Sequence, residues 1–139
     1  MALSGSVFID RANSQNARQA MSGATAEITR ERQSVYMFPE GTRSYAQEPK
    51  LLPFKKGAFH LAVQAGVPIV PVIVANYSHI LSPRTLTFKS GKIPIRVLQP
   101  IDTKNLTSAD VEDLTRETQE LMLKELIKLT SEARKQQIS

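Results

Sequence analysis

The most restrictive feature of this 139-residue chain is an apolar run from Val67 to Ala75 that holds two prolines, Pro68 and Pro71. Apolar side chains at consecutive rather than alternate positions describe a strand covered on both faces. Proline lacks an N–H and has a fixed φ, so the run is no helix interior, and Pro71 marks a sheet edge, a bulge or a strand end. The run is also far shorter than the ~20 apolar residues that cross a bilayer as a helix. A chain carrying such a segment is expected to build a layered domain around it.

The flanking sequence supplies the layers. Ser6-Val7-Phe8-Ile9 and Ser34-Val35-Tyr36-Met37-Phe38 are further apolar runs of strand length, the second stopped by Pro39 and turned by Gly41. Between them Asn13 or Ser14 caps a predicted helix reaching about Arg32, with Ala17, Met21, Ala24 and Ile28 on one face. Arg43 to Pro53 reads as a polar loop, and Gly57 to Ala65 as a short helix closed by Gly66. Thr85 to Lys89 and Ile93 to Leu98 flank Ser90-Gly91-Lys92, a hairpin pattern weakened by Pro94. Thr107-Ser108-Ala109-Asp110 offers a capping box for a final helix with Val111, Leu114, Leu121, Leu126 and Leu129 as its buried stripe. The expected fold class is α/β, a mixed and largely parallel sheet flanked by helices. Residues 1–130 form the predicted domain, and 131–139 a polar tail expected to fray.

Composition narrows the chemistry. Hydrophobic residues make up 41% and charged residues 22%, ordinary for one globular domain. There is no cysteine, which removes disulfides, thiolate metal sites and cysteine nucleophiles. With only His60 and His79 as imidazoles, a multi-histidine metal site is not expected. The opening Met1-Ala2-Leu3-Ser4-Gly5 has neither the charged segment nor the long apolar core of a secretory leader. The net charge of +5 is unevenly spread: from Arg43 to Arg96 eight basic residues face Glu48 alone. A local excess of this kind points to an anionic partner. Nucleic-acid binding is a third reading of that charge but is not the one expected, since no RNA- or DNA-binding pattern occurs and aromatic residues are only 6%.

One string concentrates the chemistry, Phe38-Pro39-Glu40-Gly41-Thr42-Arg43-Ser44. A strand ends, a tight turn follows, and a carboxylate, a hydroxyl and a guanidinium emerge together. In α/β proteins ligands bind at the carboxyl ends of strands. Arg43 could hold a phosphate bidentately, with the Gly41 backbone close by because no Cβ intervenes. The alternative is a surface turn whose Arg43 is solvated and paired with Glu40. A second arginine follows Phe8-Ile9-Asp10 as Arg11, and neighbouring strands would bring Arg11 and Arg43 to one anion. The alternative there is a local Asp10–Arg11 pair, worth little.

These residues resemble three of the four ordered blocks of the glycerophospholipid acyltransferases. Phe8-Ile9-Asp10-Arg11 is similar to the second block, Phe38 to Ser44 to the third and Val67 to Val72 to the fourth. Leu52-Pro53-Phe54-Lys55-Lys56-Gly57-Ala58-Phe59 is similar to the segment after the third block in the eukaryotic 1-acyl-sn-glycerol-3-phosphate acyltransferases, fungal ones included. The resemblance runs from Met1 to about Leu129.

It implies acyl transfer from acyl-CoA to the free hydroxyl of lysophosphatidate, giving phosphatidate at the endoplasmic reticulum membrane, without a cofactor. Arg11 and Arg43 would grip the acceptor phosphate, with Glu40, Gly41 and Thr42 shaping that site. Lys55 and Lys56 would attract the anionic acceptor, CoA phosphates or the membrane surface, or simply be solvated.

The first block, His-x4-Asp, has no match. His60 is followed at that spacing by Ala65 and His79 by Arg84, so no catalytic residue is assigned. The expectation is therefore the C-terminal portion of a longer enzyme, inactive by itself, with a sheet edge unpaired and prone to aggregate. The alternative is a non-catalytic module that binds anionic lipid, or an inactive remnant.

Overall fold

The computed structural model describes residues 34–138, together with 23, 25, 26 and 28–32. The strand expected at Ser6 to Ile9, most of the helix after it, and Arg11 lie outside the described residues. Residues 28–31 are helical, and Ile28 packs with Leu61 against Met37, Ala65 and Val67.

Helix α1 (Gly57–Ala65) ends as its sequence requires. Gly66 takes a left-handed conformation at φ 61°, and the N–H of Val67 reaches back to the Ala62 carbonyl at 3.1 Å. The buried Thr103 hydroxyl then lies 2.8 Å from the Val67 carbonyl and 3.2 Å from that of Ala62, tying the chain after the sheet to this helix end.

Strand β1 (Val72–Val74) pairs antiparallel with β4 (Ile95–Val97), Ile73 opposite Arg96. The ladder reaches beyond both strands. Leu98 N–H donates to Pro71 C=O at 2.9 Å, Ala75 N–H to Pro94 C=O at 3.0 Å, and Ile69 forms a bridge with Ile101. Three steps from Ile69 to Val72 face four from Val97 to Ile101, so the ladder bulges beside Pro71, one of the places expected for this proline.

Strands β2 (Leu81–Ser82) and β3 (Thr87–Phe88) form a separate small hairpin. The expected hairpin across Ser90-Gly91-Lys92 does not form. Its first arm pairs backwards with β2 and its second arm crosses to β1. The apolar β1 run offers more surface to cover than a short local arm, and such packing overrides turn preference.

Every strand pairing among the described residues is antiparallel, so a largely parallel sheet is not what they form. Residues 34–38 carry no strand: Tyr36 and Phe38 are exposed and meet edge to face at 5.2 Å. Strand-like composition becomes a strand only when a hydrogen-bonding neighbour lies alongside, and none of the described residues does so here.

Helix α2 (Val111–Ile138) covers one face of the β1–β4 pair. Ile73 and Ala75 pack against Leu126, Leu129 and Ala133; nearer the helix start, Phe54 and Phe59 pack against Val111 and Leu114. Arg96, half-buried on β4, pairs with Glu125 at 3.0 Å and with Glu132, which raises its pKa further.

Before the helix, Thr107 donates both its N–H (2.7 Å) and its hydroxyl (3.0 Å) to the Asp110 carboxylate, the reciprocal half of the expected box. Two expectations change. Leu121 is exposed and Met122 packs on the core, because the buried stripe runs through Thr118 and Met122 at helical spacing. The helix also continues past Thr130 to Ile138, with Thr130 and Ala133 buried, so its packing outlasts the drop in hydrophobicity.

Candidate functional site

The turn after Phe38 is built as its sequence indicates. Gly41 has φ 69° and donates its N–H to the Phe38 carbonyl at 3.0 Å. A side chain there would need a left-handed backbone and would meet Lys55, whose Cγ lies 3.4 Å from where a Cβ would stand. Lys55 thus lies over the turn, held by its own N–H donating to Pro39 C=O at 2.7 Å.

Glu40 does not pair with Arg43. Its carboxylate accepts the N–H of Leu52 at 2.7 Å, closing the loop that begins at Gly41. Arg43 is exposed and forms no hydrogen bond or ion pair with any described residue, and Thr42 beside it is exposed. The second carboxylate of the segment, Glu48, faces Arg134 at 3.4 Å. Both acids of the loop are therefore engaged elsewhere, while the side-chain charges of Arg43, Lys50 and Lys55 have no partner among the described residues. Lys56, the other lysine of the pair, is committed to Glu112 at 2.8 Å, which holds that carboxyl below its usual pKa.

Two further residues, Asn76 and Gln119, fix this loop without belonging to any sequence motif. Asn76, just past β1, donates its Nδ2 to Ala46 C=O at 2.8 Å and sits 3.4 Å from Glu48 C=O. Its Oδ1 accepts the Ser78 hydroxyl at 2.7 Å, and its own N–H donates to Thr130 Oγ1 at 3.1 Å. Gln119 on α2 accepts Phe54 N–H at 3.2 Å and lies 3.4 Å from Leu52 C=O. Lone amides about thirty to eighty residues from a motif carry no local pattern; only tertiary contact gives them this role.

The arrangement can hold an anion. A guanidinium and an ammonium stand on a hydrogen-bonded turn with no acid among the described residues competing for them, which suits a phosphate. His60 lies half-buried on α1 and His79 beyond β1, neither within the loop. Among the described residues no three acidic or histidine side chains cluster as metal ligands, and no helix is long and apolar enough to cross a membrane.

An α/β layer with a cationic, backbone-fastened turn at its edge is the class of protein this geometry defines. Comparison with known proteins makes it specific: the family model described as Acyltransferase matches residues 1–75, and the chain belongs to that family. It is 46% identical over 129 residues to an uncharacterized acyltransferase of Schizosaccharomyces pombe, covering 93% of this chain and 46% of that protein. It is 42% identical to a 1-acyl-sn-glycerol-3-phosphate acyltransferase of Saccharomyces cerevisiae, covering 88% and 41%, and 39% identical to the human alpha form, covering 95% and 46%. The crystal structure of the 1-acyl-sn-glycerophosphate (LPA) acyltransferase PlsC from Thermotoga maritima superposes with a TM-score of 0.64 at 31% identity, over 81% of this chain and 45% of that one. The fold is thus of the α/β acyltransferase kind. The chain spans somewhat under half the length of these relatives.

Proposed function

We propose that this chain supplies the acceptor-binding half of a 1-acylglycerol-3-phosphate acyltransferase, which transfers an acyl group from acyl-CoA to lysophosphatidate and releases phosphatidate. The observation that carries the reading is Arg43, exposed and without a described partner on a turn fastened by the Glu40–Leu52 hydrogen bond. Lys55 over Gly41 adds a second cation. Exposed Tyr36 and Phe38 immediately before the turn add apolar surface. Cation and apolar surface side by side suit a ligand with an anionic head and an acyl tail. The relatives' names support the same substrate class.

In this reading Arg11 joins Arg43 on the phosphate, Glu40 and Gly41 shape the turn, and Thr42 orients the headgroup. In the longer enzyme further strands would complete a largely parallel sheet, and that enzyme would act at the endoplasmic reticulum membrane. Neither histidine has an aspartate at the spacing of a base and its orienting carboxylate, so this reading assigns acceptor binding, and not proton transfer, to these residues. It follows that the 139 residues alone do not turn over. Without a joined His-x4-Asp segment, the same loop would serve as a non-catalytic module for anionic lipid.

The test is Arg43→Ala in the enzyme that carries this segment. Losing one charge-assisted, bidentate contact of about 1.5–3 kcal/mol should lower kcat/KM for lysophosphatidate roughly 10- to 100-fold, mostly through KM. An unchanged KM in a folded variant would remove the phosphate role.

A further inference from the structure

The β2–β3 hairpin presents a surface that the phosphate site does not use. Leu81 and Phe88 stand directly opposite each other in its register and so share one face. Phe88 is 88% exposed, and Leu86 at the turn is 90% exposed. Leu86 also adopts φ 51°, the left-handed region where a branched side chain is strained and glycine or asparagine is the ordinary choice. A single exposed leucine needs no explanation. A strained leucine and a phenylalanine projecting together from one short hairpin are a different case.

The charge along this segment of the chain is of one sign. Arg84, Lys89 and Lys92 flank the apolar pair, and no acidic residue occurs anywhere between Glu48 and Asp102. Behind the hairpin lies an open groove of about 490 Å³, lined among others by Lys89, Lys92, His79 and Ser90, with no carboxylate. Apolar side chains leading and cations at their base are complementary to a bilayer with anionic headgroups, where the former enter the acyl boundary and the latter meet phosphate. A protein partner recognising the same tip would place acids against Arg84, Lys89 and Lys92, but would not call for an apolar point standing clear of the domain.

We infer that the β2–β3 hairpin is a membrane-docking element: Leu86 and Phe88 insert into the interface of an anionic bilayer while Arg84, Lys89 and Lys92 contact its headgroups. The inference stands on the hairpin alone and does not depend on the acceptor-site reading. The two are nevertheless joined in space. The Arg84 guanidinium lies 6.0 Å from the Tyr45 ring, and Ser78, at the foot of the hairpin, bonds Gln47 C=O at 3.2 Å. A docked hairpin would hold the Arg43 loop close to the membrane surface.

The chain contains no tryptophan, so Leu86→Trp introduces a single fluorescent reporter at an exposed position. Mixed with phosphatidylcholine vesicles containing phosphatidylserine, its emission should shift to the blue and be quenched by brominated acyl chains. Vesicles of phosphatidylcholine alone should produce little of either. Ile127→Trp, on the exposed side of α2, is the control and should respond to neither. Lys89→Gln with Lys92→Gln should weaken vesicle affinity by on the order of tenfold or more, whereas Lys124→Gln with Lys128→Gln on α2 should not.

Far-UV circular dichroism checks that each variant keeps its fold. A reporter at position 86 that stays in water overturns the inference, as does equal response from positions 86 and 127. Retention on RNA without any vesicle response also overturns it. Because the readout is insertion and not turnover, this result is separate from the fate of Arg43→Ala.

Discussion

The Glu40 carboxylate and the Leu52 backbone N–H, 12 residues apart, meet at 2.7 Å. This bond changes the meaning of the motif around it. From the string alone, Glu40 and Arg43 are a carboxylate and a guanidinium close enough to neutralise each other. In the fold the carboxylate is spent on the far end of the loop, and Arg43 has no acidic partner among the described residues.

Glu40→Gln keeps an acceptor oxygen for Leu52 and should change stability by no more than about 0.5 kcal/mol. Glu40→Ala leaves a half-buried N–H unpaired and should cost about 1–3 kcal/mol. Denaturant midpoints of the two variants distinguish the cases. Equal loss from both would mean that the negative charge, not the hydrogen bond, holds the loop.

Asn76 is read as a positioning residue for the same loop. Its Nδ2 faces two carbonyls and its Oδ1 a hydroxyl, so Asn76→Asp sets an oxygen against the carbonyls of Ala46 and Glu48. Both Asn76→Asp and Asn76→Ala should speed proteolytic cleavage between Ser44 and Lys50. In the acyltransferase proposed above they should raise KM for lysophosphatidate several-fold with a smaller change in kcat. A kcat effect with unchanged KM would contradict the positioning role.

Thr118 is 2% exposed, and its hydroxyl has no hydrogen-bond partner among the described residues. It lies on the buried stripe of α2 between Leu114 and Met122. Thr118→Val replaces that hydroxyl with a methyl of similar shape and should stabilise the chain by about 1 kcal/mol. A lower thermal midpoint would show that the hydroxyl is satisfied in solution.

Two carboxyls make the fold sensitive to acid. The Thr107 N–H and hydroxyl hold Asp110 below its usual pKa, and the Lys56 ion pair does the same for Glu112. A depressed folded pKa stabilises fully above the unfolded value, about 4, and that contribution is lost as pH falls through the folded one. Unfolding midpoints should therefore drop below pH 4. Asp110→Asn should flatten this decline, and added salt should weaken the Lys56–Glu112 part. A decline unchanged in Asp110→Asn would place the acid sensitivity elsewhere.

Much of the local structure was legible in the chain itself, because it depends on neighbours in sequence. Gly66 ends α1 since only a residue without Cβ readily takes that backbone, and Thr107 and Asp110 are three residues apart, within mutual reach before α2. Pro71 had to lie at an irregularity, and the ladder bulges beside it. The string from Phe38 to Ser44 marked the cationic turn for a similar reason, with proline and glycine setting the backbone within seven residues.

What only the tertiary structure decided is which distant groups meet. The pairing of Ile95–Val97 with Val72–Val74 in place of a local hairpin follows from apolar surface that must be covered, and no turn preference encodes it. The choice of Met122 over Leu121 follows from the helical phase that packing on Ile73 and Phe54 imposes. The groups on the loop that Glu40, Asn76 and Gln119 bind are backbone groups, which look alike in every sequence. A backbone amide leaves no mark in the residue code, so its capture by a side chain twelve or sixty-five positions away becomes visible only when the chain has folded.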